Sequence, residues 1–430
     1  MAEIVILGAG PTGISAAYHL EKKGFYDYKI FEKEPNIGGL CRSIRQDGFT
    51  FDFTGHLLHI NDEYFRQFLQ ETINFEDFNN INRRSFVYSE NTFTKYPYQI
   101  NLHGLPTATI AQCLAGFIKR KKIRKKNKSF YDWVIENFGS GFAKYFFVPY
   151  QEKIFSYDIK KLSATWTGRF VPQTSLIEMI NGALKDNETK IGYNSNFIYP
   201  KQGGINFWVN KIAEKIKNRV HTNFCVEKVD LVNKIVHFTN GEQENFKHLI
   251  TTIPLDHLLN NLKEDSTTTL YRSANNLLCN SVINFNIGLK GNVSDKHWIY
   301  YPEKQYPFYR VGFWHNFSQL MAPEGHSSLY GEFSFLNKSN KYQNLILKKS
   351  LNHAYKLFEI NTKDIVTQKV ITIKHAYVIY NHWRDKHVPE ILNILKTYNV
   401  NSIGRYGAWK YSSMQEAILD GKKVVDQIII

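Results

Sequence analysis

The sequence predicts an α/β fold, and three stretches carry that expectation. The first is EIVILGAGPTGISAAYHLEKKGF, an apolar strand, a glycine turn and a helix, followed by a second strand in YKIFEKE. The second is HLITTIPLDHLL, a buried strand in the middle of the chain. The third is NSIGRYGAWKYSSMQEAILDGKKVVDQI, a strand, a loop and a closing helix. Apolar strands alternating with helices build parallel sheets. These pieces are far apart in sequence, so the unit they form is discontinuous and Rossmann-like, drawn from residues 1–60, 190–258 and 398–430.

The first stretch also carries chemistry. Gly8, Gly10 and Gly13 have GxGxxG spacing. Gly8 permits the tight turn, Gly10 lets a pyrophosphate approach the backbone, and Gly13 lets the helix lie close to the strand. The phosphate meets the free N–H groups of the helix start. Glu32 ends the second strand, where its carboxylate can accept from ribose hydroxyls. Strand, turn, helix, strand and acid in this order predict a dinucleotide site.

The remaining chain divides into two further regions. Residues 105–187 read as helical, with SFYDWVIENFGSGFAKYFFVPY prominent. Residues 61–104 and 259–397 read as a sheet region. Short strands and turns are expected from Phe65 to Leu102, and strand patterns dominate from Ser281 to Ile373. YPKQGGINFWVNKIAEKIK gives a glycine turn and an amphipathic helix, and FCVEKVDLVNKIVHFTNGE gives a hairpin.

Composition sets outer bounds. The 430 residues allow two or three domains and a large core. A formal net charge of +15 favours an anionic partner. Cys41, Cys113, Cys225 and Cys279 are scattered, without metal-ligand spacing, which suits a reducing compartment. No secretory signal and no apolar run of membrane-spanning length is visible. A cytoplasmic protein without a transmembrane segment is expected, and no metal. The densest charge is KRKKIRKKNKS, with eight Lys or Arg in residues 119–128. A solvated loop is the expectation here. Nucleic acid or a membrane surface are the other partners such a run takes, but no nucleic-acid-binding motif accompanies it.

The stretch after Glu32 narrows the cofactor. KEPNIGG brings a glycine doublet, Gly38 and Gly39, with Arg42 close behind. This resembles the FAD-binding oxidoreductases of the glutathione reductase and amine oxidase type, in which the second loop covers the pyrophosphate. The segments GGLCRS, GFTFDFTGH, KYPYQINL, SFYDWVIENFGSGFAKYFFVPYQEKIF, YPKQGG, PFYRVGFWHNFS and GRYGAWKY further resemble the UDP-galactopyranose mutases, the eukaryotic-type branch above all.

That resemblance implies an FAD domain, a helical domain and an antiparallel sheet domain for the substrate, meeting over the flavin. It implies a ring contraction without net redox, in surface-polysaccharide assembly. N5 of reduced flavin attacks the anomeric carbon of UDP-galactopyranose, UDP leaves, and the sugar recloses as furanose. NAD(P)H or another reductant must reduce the cofactor first. The nucleotide sugar is the implied partner; nucleic acid is not.

Residue by residue, Arg310 matches the phosphate-binding arginine, and Tyr377 and Tyr411 match tyrosines that donate to the diphosphate. Tyr98 and Gln99 match the uracil-contacting pair, with Gln151 and Phe155 as its neighbours. His56 in TGH matches the histidine beside the isoalloxazine. Arg84, Ser85, Val226 and Arg405 match cofactor-side positions.

The chain departs from the family at three places. WTGRFV has Phe170 where the mobile arginine is expected, with Arg169 one position earlier. Phe317 stands where a phosphate-contacting tyrosine is expected, and KYSSMQ lacks the family's asparagine. A mutase acting on a related nucleotide sugar accommodates these losses. The alternative enzyme is an FAD-dependent oxidase or desaturase of the amine oxidase or protoporphyrinogen oxidase type. A third reading is a flavin-binding protein without activity.

Overall fold

Ile4, Val5, Ile6 and Leu7 are all fully buried. A strand buried on both faces belongs inside a parallel sheet, and the strand Ala2–Leu7 is the centre of one. The computed structural model of the protein describes residues 2–125, 128–168, 171–186, 195–263 and 268–429. Among the described residues, Ala2–Leu7 pairs in parallel with Tyr28–Phe31 on one side and with Gln243–Thr251 on the other. Val400–Ser402 adds to Gln243–Thr251, again in parallel. The hairpin Val226–Asp230 and Ile235–Phe238 extends the far edge antiparallel, and Val220–His221 closes the near edge. The closing helix Met414–Ile428 lies along the first helix, Pro11–Lys22.

A second sheet of seven strands runs in the order Ile365–Ile373, Ser281–Lys290, His326–Phe335, Arg310–Gly312, Trp298–Tyr300, Ser85–Ser89 and Thr92–Lys95. It is not purely antiparallel: Trp298–Tyr300 runs parallel to Ser85–Ser89. Early strands thus reach this sheet from a distant part of the chain.

Helices Thr107–Ile118, Phe130–Phe142, Val148–Phe155 and Leu176–Leu184 fill the helical region, with a π turn at Ala143–Phe147. Three helices depart from the strand-and-turn expectation: Glu63–Thr72, Asn340–Leu357 and His382–Thr397. Each starts with a side-chain cap. Asp62, Ser339 and Asn381 accept from the backbone N–H of Phe65, Tyr342 and Arg384. In the first, Phe65, Phe68, Leu69 and Thr72 are buried at helical spacing. No described helix is long and apolar enough to cross a membrane.

Candidate active site

The glycine turn is built as its spacing predicts. Gly8 has φ 93°, a left-handed conformation that only glycine adopts freely. A Cβ on Gly13 would lie 1.9 Å from the Gly8 carbonyl oxygen, so the helix rests on the turn. Gly10 is different: a Cβ there meets no protein atom closer than Gly39 Cα at 3.8 Å. The Gly38 N–H donates to the Ala9 carbonyl (2.9 Å), which brings the second loop over the first. Glu32 is buried at the strand end and accepts from the N–H groups of Ala9 (2.8 Å) and Glu34 (3.0 Å). Beside it, the Phe224 N–H donates to the Glu32 carbonyl, which runs the segment leading to Val226 along the acid. Arg42 does not point into open space. Its Nε donates to the Gly39 carbonyl (2.8 Å), Nη1 lies 3.4 Å from Glu34, and the guanidinium stacks over Phe53.

The far wall comes from the end of the chain. A Cβ on Gly404 would lie 2.7 Å from Thr12 Oγ1, so the next residue, Arg405, arrives beside the start of the first helix. Its guanidinium donates to the carbonyls of Ser412 (3.0 Å) and Ala376 (3.2 Å) and lies over the rings of Tyr411, Tyr377 and Tyr406 at 4.9, 5.5 and 5.7 Å. Its buried Nε has no partner, and no described carboxylate pairs with it. A buried cation without a counter-ion is costly. This one suits an anion. Together, the open space at Gly10, the helix start and Arg405 fit a dinucleotide diphosphate.

His56 faces the same space. Its Nδ1 lies 3.1 Å from the Thr54 carbonyl, so the proton belongs on Nδ1 and Nε2 remains an acceptor. Burial, then Arg405 and Arg310, push its pKa down to about 4. Its neighbour Gly55 touches Arg310: a Cβ on it would lie 3.7 Å from Arg310 Cζ and 3.0 Å from the Tyr330 hydroxyl.

Arg310 stands in the second sheet, paired across the strands with Tyr300 on one side and Glu332 on the other. Nε and Nη2 donate to Glu332 at 3.0 and 2.7 Å, and Nη1 has no described partner. Burial opposes the charge most strongly, but Glu332 together with Tyr330, Tyr377 and Tyr309 holds the guanidinium well above its ordinary range. Tyr377 is edge-on to Phe155 and Tyr309, and burial raises its hydroxyl pKa, keeping it a donor. Arg310, Arg405, His56, Tyr377 and Tyr411 therefore converge.

Other expected residues fall elsewhere. Tyr98 is fully buried and stacks on Phe146 at 5.1 Å, in the core of the helical region rather than on an open wall. Gln99 is buried, with Nε2 donating to the Pro172 carbonyl (3.1 Å). Phe155 is buried against Trp166 and Tyr377, and Gln151 is half-buried with no described partner. Arg84 is exposed, and its N–H donates to His297 Nδ1. Ser85 is buried without a hydroxyl partner. Arg169 and Phe170 lie outside the described residues. Phe317 packs in an aromatic core with Phe197, Tyr199, Trp298 and Trp314. The tyrosine that meets Arg310 is Tyr300, which the sequence reading missed along with Tyr330 and Glu332. An acid inside the apolar strand HSSLYGEFSF was the available signal.

Four histidines, two buried and two half-buried, set an acid limit. Burial pushes His19, His56, His59 and His297 down to about 4. His19 is satisfied as a neutral ring, with Nδ1 at the Ser15 carbonyl and Nε2 at the Tyr64 hydroxyl. Unfolded histidine titrates near 6.5 (~6.5), so between there and about 4 the unfolded chain binds more protons. The stability that these groups contribute is complete above 6.5 and falls as pH drops towards 4. Asp52, raised to about 6 by burial, acts in the opposite sense, as one group against four. The melting temperature is therefore expected to fall across this window and the fall to be shallower in His19→Gln; a flat profile contradicts it.

Comparison with known proteins adds the following. The family model described as flavin containing amine oxidoreductase matches residues 11–429. The crystal structure of reduced UDP-galactopyranose mutase is similar over 100% of this chain and 94% of that one, at TM-score 0.93 and 26% identity. A CLA-producing fatty acid isomerase from P. acnes shares the fold at TM-score 0.69 and 12% identity, over 100% of this chain and 99% of that one. A 4,4'-diapophytoene desaturase (4,4'-diaponeurosporene-forming) of Staphylococcus aureus (strain COL) is 34% identical over 86 residues, which is 20% of this chain. The chain spans only 17% of the length of that desaturase.

Proposed function

Because the chain belongs to the flavin containing amine oxidoreductases, with FAD as its cofactor, we propose that it is a nucleotide-sugar mutase. It interconverts the pyranose and furanose forms of UDP-galactose or a related nucleoside-diphosphate sugar. The observation that carries this reading is the meeting of Arg310, Tyr377 and Tyr411 in one buried space beside the cofactor cradle. Such an assembly suits a diphosphate and has no purpose beside an amine or a hydrocarbon. The whole-length likeness to reduced UDP-galactopyranose mutase supports it.

Gly8, Gly10, Gly13, Glu32, Gly38 and Gly39 hold the dinucleotide, with Arg42 clamping the second loop and Arg405 closing the cradle. Val226 borders the ribose end. Reduced FAD, renewed by NAD(P)H or another reductant, supplies a nucleophilic N5 for the anomeric carbon. The protein's part is to hold the leaving diphosphate. Glu332 takes the Nε–Nη2 edge of Arg310 and leaves Nη1 for the phosphate, and Tyr377 and Tyr411 donate to it as its charge grows. His56, neutral near pH 7, keeps an acceptor at Nε2 without adding charge beside the cofactor. Phe155, edge-on to Tyr377, is the candidate for the base side, and Arg169 is the candidate for a closing cation.

An FAD-dependent oxidase or desaturase is the second reading, favoured by the short desaturase match. One anaerobic experiment separates the two. The enzyme is reduced once, freed of reductant and given UDP-galactose and a panel of other nucleotide sugars. Many products per flavin, with the flavin still reduced, are expected. Product limited to one per flavin, or hydrogen peroxide formed in step with substrate loss in air, overturns the mutase.

A further inference from the structure

The helical region presents a face that the site does not use. Helix Thr107–Ile118 leaves Ala108, Ala111, Ala115 and Ile118 exposed, spaced along one side, with Ile118 at 62%. Helix Leu176–Leu184 packs against it and exposes Ile177 (72%), Ile180 (38%) and Leu184 (75%), also along one side. Its buried residues, Met179 and Gly182, point the other way. Large aliphatic side chains this exposed are unusual on a soluble surface and mark an interaction site when clustered.

The charge run continues directly from Ile118. Lys119, Arg120, Lys121, Lys122, Arg124 and Lys125 follow in the described residues, all exposed. Only Lys125 has an acidic partner, Asp132 at 2.9 Å. Arg120 folds back over Phe117, and the run ends at Ser129, which caps the next helix. Lys119, Lys121, Lys122 and Arg124 have no described partner. Cations in a row directly after exposed Ile118, on a helix packed against a second one that bares its own aliphatics, match an anionic lipid leaflet: the cations meet the headgroups and the aliphatics enter the acyl boundary. A nucleic-acid surface would have no use for the aliphatics.

We propose that this face seats the protein reversibly on an anionic membrane, with the 119–125 run at the headgroups and Ile118, Ile177 and Leu184 inserted. No step of the proposed chemistry is needed for it.

The test is flotation of the FAD-loaded protein with phosphatidylcholine vesicles, with and without phosphatidylglycerol, at low and high salt. Binding is expected only to the anionic vesicles, falling with salt. Each cation at a leaflet is worth a factor of about five. Lys119→Gln with Lys121→Gln, Lys122→Gln and Arg124→Gln is thus expected to weaken binding by roughly several hundredfold. Ile118→Asn with Leu184→Asn should weaken it at unchanged charge. Flavin content and melting temperature show that each variant is folded. The proposal is overturned if wild type ignores anionic vesicles at low salt, or if either folded variant binds as wild type does. It is equally overturned if the face proves covered by self-association, or if the protein binds DNA or RNA but no vesicle.

Discussion

Gly13→Ala is expected to stop the chain from reaching a stable fold. The added Cβ lies 1.9 Å from the carbonyl oxygen of Gly8. That atom is backbone, held in the turn between the central strand and the first helix, and cannot swing aside. The helix must lift from the sheet, or the turn must open. Overpacking in a core commonly costs about 1–3 kcal/mol, and more where the backbone must move. Total stability of a domain is only about 5–15 kcal/mol. Little soluble protein, or a melting temperature lowered by many degrees, is expected. Gly10→Val is the informative partner. Its first carbon meets nothing in the protein nearer than 3.8 Å, so the chain should fold while the diphosphate finds its place occupied. A folded, colourless protein is the expected product; normal flavin content would reject Gly10 as a cofactor contact, and an unperturbed melt for Gly13→Ala would reject the packing argument.

Arg310→Ala is expected to do two kinds of damage. Glu332 is 0% exposed and is left without its partner. Breaking a buried ion pair from one side costs about 3–5 kcal/mol. Separately, the loss of a charge-assisted bond to phosphate weakens nucleoside diphosphate by about 1.5–3 kcal/mol. The two effects can be pulled apart. Arg310→Met with Glu332→Leu removes both charges at similar volume, a change that is often neutral for stability. That variant should melt near the wild type, keep its FAD and still bind nucleoside diphosphate weakly when reduced. If it titrates like the wild type, Arg310 is no phosphate ligand. A melt as low as that of Arg310→Ala would show that the pair is needed for the fold itself.

What could be read from the sequence was local. The glycine turn and Glu32 are short-range geometry that spacing alone announces; the Gly38–Gly39 loop took its role from the resemblance to FAD-binding oxidoreductases. Arg405 and Tyr411 were named through the family resemblance of one short segment, GRYGAWKY. Tyr300 and Glu332 were not, because they meet Arg310 only through strand register, 10 and 22 positions away in the chain. Tyr98 shows the reverse error. An aromatic beside Gln99 suggests a stacking wall, but the 3-10 turn at Tyr98–Ile100 points the ring into the helical core. Phe317 has the same limit: motif alignment located the residue in sequence but not the aromatic core that it packs in after the 3-10 turn Trp314–Asn316. The helix Asn340–Leu357 was hidden because its apolar residues mix with lysines inside a strand-rich stretch, and only the Ser339 cap marks its start.

The order in which the first sheet is threaded bears on how the protein is made. The central strand, residues 2–7, is made long before one of its neighbours, residues 246–251, and the parallel part of the sheet is completed only by residues 400–402. The arginine that closes the cradle comes later still, at position 405. Until then a nascent chain exposes an apolar strand with one open edge and a half-built cofactor pocket. Pairings this distant form slowly. FAD is therefore expected to be taken up after translation rather than during it. Flavin supply and chaperone capacity, rather than the local strength of the glycine turn, should then decide how much of each newly made batch survives.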